Sequence, residues 1–305
     1  MTDATTTPPV DQDPQERSWI LIAILTLIVM ACYWNTILGT AEAWDSPMYN
    51  HGYLIPLFAA FLLYQRREPF GFVTQKEQWW GVGIIAFATL MRIGAAYAVQ
   101  FSVDRLSLIV CLIGVFVLAG GVRTLKWAGP AIAFLVFMFP LPGFMVDNIL
   151  RPMQTMATIS SVYALQTLGV EVFRDGNRIE LEHSLMNVVD QCSGLRMLTI
   201  FIALAVAIVM ISNHRPLWER IIILISSVPI ALLVNTIRIT VTGLLYNLNL
   251  NEDIVNQVFH DFAGLIMMPL ALGFLFLEMQ ILSRLVIEDH SAPKNLSGVG
   301  LGSPS

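Results

Sequence analysis

Long apolar runs alternate with short polar connections along most of the chain. A helix needs about 20 residues, at about 1.5 Å per residue, to cross the hydrocarbon core of a bilayer, and several runs reach this length. The pattern predicts about eight spans, near residues 18–38, 50–65, 80–100, 104–121, 126–142, 193–212, 217–246 and 262–283. The fold class that follows is an all-α integral membrane protein.

The third and fourth spans are joined by only a few residues, 101–103, a spacing typical of a tight helical hairpin. Arg92 lies in the middle of the third span and Asp104 at the start of the fourth. A charge inside a membrane helix is costly unless it is paired. We therefore predict that Arg92 and Asp104 pair across the hairpin.

The two ends of the chain differ from its apolar middle. Residues 1–17 are polar, acidic and interrupted by proline, and residues 286–305 are similar with added glycine and serine. Such segments bury too little apolar surface to order themselves, so we predict disordered tails around one membrane domain at 18–285. The Ala41-Glu42-Ala43 triplet resembles a signal-peptidase site, but the long run before it and its acidic leader indicate a retained helix.

Cations near the ends of the predicted spans fall on one side of the membrane domain. They are Arg66, Arg67, Lys76, Arg123, Lys126, Arg215, Arg220 and Arg284. Short cytoplasmic loops accumulate lysine and arginine, so this side and both tails are predicted to be cytoplasmic. The connections at 39–49, 101–103, 143–192 and 247–261 then lie outside.

The connection at 143–192 is long enough to hold structure of its own. Residues 146–168 mix apolar side chains with Arg, Pro, Thr and Ser, which predicts an amphipathic helix at the interface, with a re-entrant helix as the open alternative. Residues 169–189 alternate apolar and polar side chains around Asp175-Gly176-Asn177, which predicts a β-hairpin. Its covered face is expected to contain Val170, Val172, Ile179, Leu181, Leu185 and Val188.

Composition excludes several classes of function. Hydrophobic residues make up 56% of the chain and charged residues 13%, against about 25% charged in soluble domains. The net charge of -5 and the lack of a basic patch in the sequence give no support to nucleic-acid binding. The three cysteines, Cys32, Cys111 and Cys192, have no Cys-x-x-Cys spacing, and the histidines have no metal-ligand spacing. We expect no disulfide framework, no metal and no cofactor.

Three chemically active groups are predicted to share one membrane plane. Cys192 precedes the sixth span, about 20 residues, or 30 Å, from the cytoplasmic end of that span. Arg238 lies about 18 residues, or 27 Å, along the seventh span from the cytoplasmic Arg220. His260 stands just before the last span, which ends at the cytoplasmic Arg284. All three groups are therefore expected at the outer face.

Cys192 has the surroundings of a nucleophile. It sits where a strand-like run meets the start of a helix, and a helix N-terminus stabilises anions and lowers the pKa of a thiol. Backbone N–H groups around Ser193 and Gly194 are suited to stabilise an oxyanion, and Arg196, four residues on, is expected to face the same pocket. The alternative is a small buried cysteine.

Arg238 and His260 supply the other groups that acyl transfer from a peptide needs. Arg238 is suited to bind a carbonyl or carboxylate, or to stabilise a tetrahedral oxyanion, with Asn235 one turn earlier orienting it. His260 is suited to act as a base toward a thiol and as an acid toward a leaving amine. The alternatives are an Arg238 that snorkels to the lipid headgroups and a structural histidine.

The segments around these residues resemble the exosortase family, the membrane transpeptidase-like proteins that process carboxy-terminal sorting signals in Gram-negative bacteria, with archaeosortases as relatives. The likeness lies in Cys-Ser-Gly-Leu-Arg at Cys192, Asn-x-x-Arg at Arg238 and His-Asp-Phe-Ala-Gly at His260. A His-Gly pair at His51 is similar to the family's entry to an early helix, so the likeness runs over 18–285. The resemblance implies that Cys192 is the nucleophile and that Arg238 and His260 complete the site.

The resemblance also implies a substrate and a location. Substrates of the family carry a short Pro-Glu-Pro-type motif, a hydrophobic helix and a basic cluster, so the expected partners are membrane-anchored exported proteins in the bilayer of the inner membrane. The active site would face the periplasm. Hydrolysis and transfer to an amine both stay open, and an acceptor linked to exopolysaccharide is one option. The rival hypotheses are a non-catalytic transporter or assembly component of exopolysaccharide export, and a receptor that only binds the sorting helix.

Overall fold

The computed structural model describes residues 14–46, 48–181, 185–187, 194–212, 215–247 and 263–285. These residues form helices joined by short turns, together with one small sheet, which confirms the predicted all-α class. In chain order the helices are α1 (Pro14–Cys32), α2 (Trp34–Trp44), α3 (Leu54–Arg66), α4 (Gln75–Tyr97), α5 (Phe101–Gly120), α6 (Ala128–Phe134), α7 (Gly143–Met145), α8 (Arg151–Thr167), α9 (Gly194–Ile211), α10 (Leu217–Asn247) and α11 (Ala263–Leu285). The connecting turns include 3₁₀ segments at Asn50–Tyr53, Val122–Lys126 and Leu135–Met138 and a π-helical segment at Val146–Leu150.

Three described helices, α4, α5 and α10, are long and apolar enough to cross a membrane. Two further pairs of helices qualify only if each bent pair counts as one span. Glu16–Cys32 bends by 75° into Trp34–Trp44, and Ala128–Met138 bends by 79° into Gly143–Thr167. The described part of the chain therefore contains three to five candidate spans, and the predicted number of about eight is not confirmed.

Both bends lie in or next to ranges that the sequence predicts as single helices. The range 18–38 is interrupted at Tyr33, between α1 and α2, and α1 itself begins earlier than expected, at Pro14. Pro140 and Pro142 lie in the second bend, and proline lacks the N–H group that would continue the helical ladder. The prediction of a single helix near 18–38 is wrong, because the chain bends by 75° between α1 and α2.

Polar contacts with α5 hold the first bend in place. The hydroxyl of Tyr33 lies 2.8 Å from the Oγ of Ser107, and the Oγ1 of Thr36 donates to the carboxylate of Asp104 at 2.6 Å. The carboxylate of Asp104 also lies 3.7 Å from the Nε of Arg92, whose guanidinium stands 4.1 Å from the centroid of the Tyr33 ring. The predicted pair of Arg92 and Asp104 is confirmed, and it ties the α4–α5 hairpin to the break between α1 and α2.

Several of the predicted cytoplasmic cations gather at one end of the bundle. Arg66, at the end of α3, donates to the carbonyl of Met210 near the end of α9. Arg215, just before α10, donates to Glu219 at 2.8 Å and to the carbonyl of Met279, near the end of α11, at 3.5 Å. These contacts join the end of α3 to that of α9, and the start of α10 to the end of α11. They are the helix ends that the cation pattern assigns to one side. Which side of a membrane this is stays a prediction.

A three-stranded antiparallel sheet follows α8. Its strands are β1 (Val172–Asp175), β2 (Arg178–Leu181) and β3 (Leu185–Asn187), in the order β1-β2-β3. Gly176, between β1 and β2, has a φ of +59°, a conformation that suits a residue without a Cβ atom. The predicted β-hairpin is confirmed, and the third strand extends it.

The covered face of the sheet contains four of the predicted residues and one residue that was not predicted. As expected, the buried residues include Val170, Val172, Ile179 and Leu181. The fully buried Met186 is paired with Ile179 across β2 and β3. This pairing places Met186 on the covered face, and the expectation for Leu185 stays a prediction. Val188 lies outside the described residues.

Candidate active site

The seventh predicted span is one helix, α10, and it carries a buried arginine. Arg238 is 5% exposed, and Asn235, one turn earlier, is 8% exposed. An arginine that snorkels to lipid headgroups keeps its guanidinium at the protein surface, so the burial of Arg238 argues against that alternative. A charge inside a membrane protein that faces the bundle interior marks a functional position, and this turn of α10 is the first element of a candidate site.

The helix α8 presents its polar side chains to α10. Gln154, Thr158 and Ser161 lie at positions i, i+4 and i+7 of one buried face, and the Oγ of Ser161 donates to the carbonyl of Thr236 at 3.1 Å. The exposed residues of the middle turns are mostly apolar and include Met156, Ile159 and Tyr163. An interfacial helix turns its polar face to water. The reversed arrangement in α8 therefore favours the re-entrant alternative over the predicted interfacial helix.

A glycine lets α8 and α10 approach each other closely beyond Arg238. A Cβ atom added at Gly243 would lie 2.7 Å from the Cδ1 of Leu165, which is fully buried. Small residues allow this kind of backbone approach between helices in membranes. The contacts at Ser161 and at Gly243 thus fix α10 against α8 on both sides of Arg238.

A narrow recess lies between α8, α9 and α10 beside this turn, and two polar side chains line it, Gln154 and Asn235. Its apolar walls are Leu150, Met153, Leu198, Ala231 and Leu232. Within the described part of the chain, the Oδ1 of Asn235 is buried and has no hydrogen-bond partner. A buried acceptor in this state costs about 1–3 kcal/mol, so the folded protein holds an unused polar group next to Arg238.

The same recess places the start of α9 next to the turn that carries Arg238. Leu198 lies in the second turn of α9, a few residues after Cys192, and shares the recess with Asn235. Asn235 precedes Arg238 by one turn. The first turns of α9 and the turn of α10 that precedes Arg238 therefore approach each other at this point.

Three predicted site residues lie outside the described part of the chain: Cys192, Ser193 and His260. The helix predicted after the thiol is present from Gly194 onward, and Arg196 lies in the first turn that the structure describes. The last helix begins at Ala263, shortly after the position of the histidine. The convergence of the thiol, the guanidinium and the imidazole stays a prediction.

The helices that carry or follow these residues pack into one apolar cluster. Its buried members include Phe201 of α9, Ile223 of α10 and Leu275 of α11. Helices that share a core in this way lie about 8–10 Å apart between their axes. This packing supplies the scaffold that a shared site needs.

Gln154 was not among the predicted site residues. The sequence contains a signal for it, since Gln154, Thr158 and Ser161 recur at helical spacing in a segment with few charges. A polar stripe at this spacing is equally compatible with a water-facing helix. Only the packing of α8 on α10 shows that the stripe faces the protein.

The His-Gly pair of the family resemblance forms another buried polar position, outside the candidate spans. His51 is 8% exposed in the turn before α3, and burial lowers the pKa of its imidazole. Gly52 packs against the indole of Trp44, where a Cβ atom would overlap the ring, and the Nε1 of Trp44 donates to the carbonyl of Met138 at 2.8 Å. The pair thus closes the junction of α2, α3 and the turn after α6.

Apolar helices that enclose an arginine and two carboxamides define the class, a helical polytopic membrane protein with a polar site inside its bundle. Comparison of the sequence with known families identifies which one: the family described as Transmembrane exosortase matches residues 43–277. The match covers most of the chain, and the chain belongs to the transmembrane exosortase family. The resemblance seen in the sequence is thereby confirmed. No curated protein and no solved structure matches the chain.

Proposed function

We propose that this protein is a membrane-embedded cysteine protease or transpeptidase that cleaves the C-terminal sorting signals of exported proteins at the periplasmic face of the inner membrane. Membership of the transmembrane exosortase family supports this class of activity. The observation that carries the proposal is the recess shared by Leu198 and Asn235. It joins the segment that follows Cys192 to the turn that precedes Arg238, as a common site requires.

The proposed topology has about eight membrane crossings with both termini in the cytoplasm. The gathering of Arg66 and Arg215 at one end of the bundle supports it, because short cytoplasmic loops carry most of the positive charge. Arg238 lies roughly 30 Å along α10 from that end, which is the thickness of a hydrocarbon core. The site is therefore assigned to the periplasmic boundary.

The proposed substrates carry a short Pro-Glu-Pro-type motif, a hydrophobic helix and a basic cluster. A helix of this kind, lying beside the bundle with its basic end in the cytoplasm, presents the motif at the depth of Arg238. The bilayer thus aligns the scissile bond with the site before any specific contact forms, and this reduces the entropic cost of binding.

In the proposed reaction the thiolate of Cys192 attacks the scissile carbonyl carbon, and Arg238 stabilises the negative charge that develops on its oxygen. His260 takes the proton of the thiol and gives it to the departing amine as the C–N bond breaks. A thioester on Cys192 results. Attack by water then releases a carboxylic acid, or attack by an amine forms a new amide, and either step returns the thiol.

Four further residues are assigned supporting roles. Asn235 orients Arg238 from one turn away, and backbone N–H groups at Ser193 and Gly194 stabilise the oxyanion at the start of α9. Arg196, in the first turn of α9, adds positive charge near the thiol.

The proposal is tested with Cys192→Ala in cells that express a candidate substrate, with Cys32→Ala as the matched control. Cys32 is an exposed thiol in α1, so its loss should leave processing unchanged. Mass spectrometry of the substrate C-terminus should show the full-length form in Cys192→Ala and the processed form in Cys32→Ala. Normal processing in Cys192→Ala would rule out the cysteine enzyme and favour a transporter or a receptor.

A further inference from the structure

We propose that Gln154 and Asn235 form a subsite that holds the substrate backbone beside Arg238, with the Oδ1 of Asn235 accepting a hydrogen bond from one substrate N–H group. The inference rests on the proposed function, because its ligand is the peptide segment next to the scissile bond. It makes α8 part of the substrate site. It also assigns a role to Gln154, which none of the motifs includes.

The polarity of the recess indicates the kind of ligand. Gln154 is 5% exposed and Asn235 is 8% exposed, so both carboxamides lie within the protein. The remaining lining residues are apolar, and no charged side chain is among the described ones. None of the lining side chains carries a charge that could pair with a charged ligand. Two carboxamides in apolar surroundings match a neutral peptide group, which offers one donor and one acceptor.

The unused acceptor of Asn235 indicates which atom of the ligand binds. Within the described residues the Oδ1 of Asn235 has no donor, although α10 packs against α8 closely enough for Ser161 to bond to the carbonyl of Thr236. Among the described residues, folding leaves this acceptor without a partner. A substrate N–H group supplies the missing donor.

The size of the recess limits what enters it. Its enclosed part has room for about one water molecule. A side chain of ordinary size does not fit. A single backbone N–H group suits this space, because its hydrogen bond to the recess replaces one that it makes with water.

The position of Asn235 connects the subsite to the chemistry. Residues three apart on a helix have Cβ atoms about 5–6 Å from each other, which is the separation of Asn235 and Arg238 along α10. An extended peptide advances about 3.3–3.6 Å per residue. A substrate N–H group bound at Asn235 therefore places a carbonyl one or two residues away within reach of Arg238.

The test measures binding with the chemistry removed. The full-length Cys192→Ala protein in lipid nanodiscs is titrated with a fluorescent synthetic peptide that contains the Pro-Glu-Pro motif, a hydrophobic helix and a basic cluster. A series of peptides carries one N-methyl group each, at successive non-proline residues of the motif segment. We expect N-methylation at one position to raise Kd about tenfold, and the other positions to change it by about twofold or less.

Variants of the recess identify the acceptor. Asn235→Leu should raise Kd about tenfold for the unmodified peptide and should abolish the effect of N-methylation at the sensitive position. Gln154→Met keeps the volume and removes the amide, and should weaken binding in the same way. Thr158→Val is the matched control, because Thr158 lies buried one turn further along the same face and does not line the recess.

Three results would overturn the subsite: no binding of the unmodified peptide, no sensitive position in the series, or an N-methyl effect that persists in Asn235→Leu. The N-methyl series uses the Cys192→Ala protein with Gln154 and Asn235 unchanged. Misfolding of a recess variant therefore does not protect the proposal. Cleavage of the same peptide by the protein with Cys192 intact is measured in parallel. If Asn235→Leu abolishes the N-methyl effect but the peptide is not cleaved, the enzyme is refuted and the subsite is kept. If the peptide is cleaved but the N-methyl effect persists in Asn235→Leu, the subsite is refuted and the enzyme is kept.

Discussion

Gly243 allows α10 to approach α8 five residues beyond Arg238, and replacing it with alanine tests this contact. The added methyl group would lie 2.7 Å from the Cδ1 of Leu165 and 3.2 Å from its Cδ2. Leu165 is fully buried, so the end of its side chain can shift only against its packed neighbours. Overpacking of this kind costs about 1–3 kcal/mol, and a helical glycine-to-alanine change gains about 1 kcal/mol. We predict that Gly243→Ala lowers the free energy of unfolding by a net value of about 0–2 kcal/mol.

A second glycine provides the control that isolates the clash. In α11, a Cβ atom added at Gly273 meets nothing within 4 Å, so Gly273→Ala keeps only the gain in helix propensity. The two variants should therefore differ by about 1–3 kcal/mol in the free energy of unfolding, measured by denaturant titration in detergent. Equal stability of the two variants would refute the close approach of α8 and α10.

The same pair of variants reports on Arg238. The contacts at Ser161 and Gly243 hold α10 on both sides of that residue, and a displacement of about 1 Å at a catalytic group lowers a rate by up to about 10²-fold. Gly243→Ala should slow substrate processing at least about tenfold, and Gly273→Ala should leave it unchanged. Leu165→Ala combined with Gly243→Ala should lose less stability than the two single variants together.

Four further substitutions test other parts of the fold through the free energy of unfolding. Asp104→Asn removes a partly exposed ion pair with Arg92 and should cost about 0.2–1 kcal/mol; no change would count against the hairpin contact. Burial lowers the pKa of His51 in the folded protein. Just below the ordinary pKa of about 6.5, the unfolded chain therefore binds more protons than the folded one. The free energy of unfolding should fall as the pH drops through this window, and it should fall less in His51→Gln. An identical pH dependence in that variant would contradict this assignment. Met186→Ala should cost about 2–5 kcal/mol, because Met186 is fully buried. Phe173→Ala, at an exposed strand position, should cost less than about 0.5 kcal/mol. Similar losses in the two variants would refute the strand register.

The sequence predicts contacts well where local spacing and charge determine them. Arg92 lies inside an apolar helix and Asp104 lies in the first turn of the next one, so pairing across the short turn offsets the cost of a charge in the membrane. Gly176 lies in a turn between alternating strands, and it has the positive φ that such a turn needs. Both features require no knowledge of distant residues.

The features that depend on distant packing could not be predicted in this way. The break at Tyr33 is held by Ser107 on another helix, and no proline or glycine marks it in the sequence. The third strand adds Met186 to the covered face because Met186 is paired with Ile179 across β2 and β3, and this register depends on tertiary pairing rather than on local sequence. The polar stripe of α8 has the spacing of a water-facing helix, and only α10 shows that Gln154 faces inward.

The central claim is that Cys192, Arg238 and His260 share one pocket, and a crosslink tests it most directly. His260→Cys is introduced into a chain in which Cys32→Ala and Cys111→Ala leave Cys192 as the remaining native thiol. A disulfide forms only when the two Cα atoms lie within about 7 Å. After mild oxidation of the folded protein, mass spectrometry of unreduced peptides should find Cys192 linked to the new thiol at position 260. Two thiols that both stay open to alkylation would contradict the account.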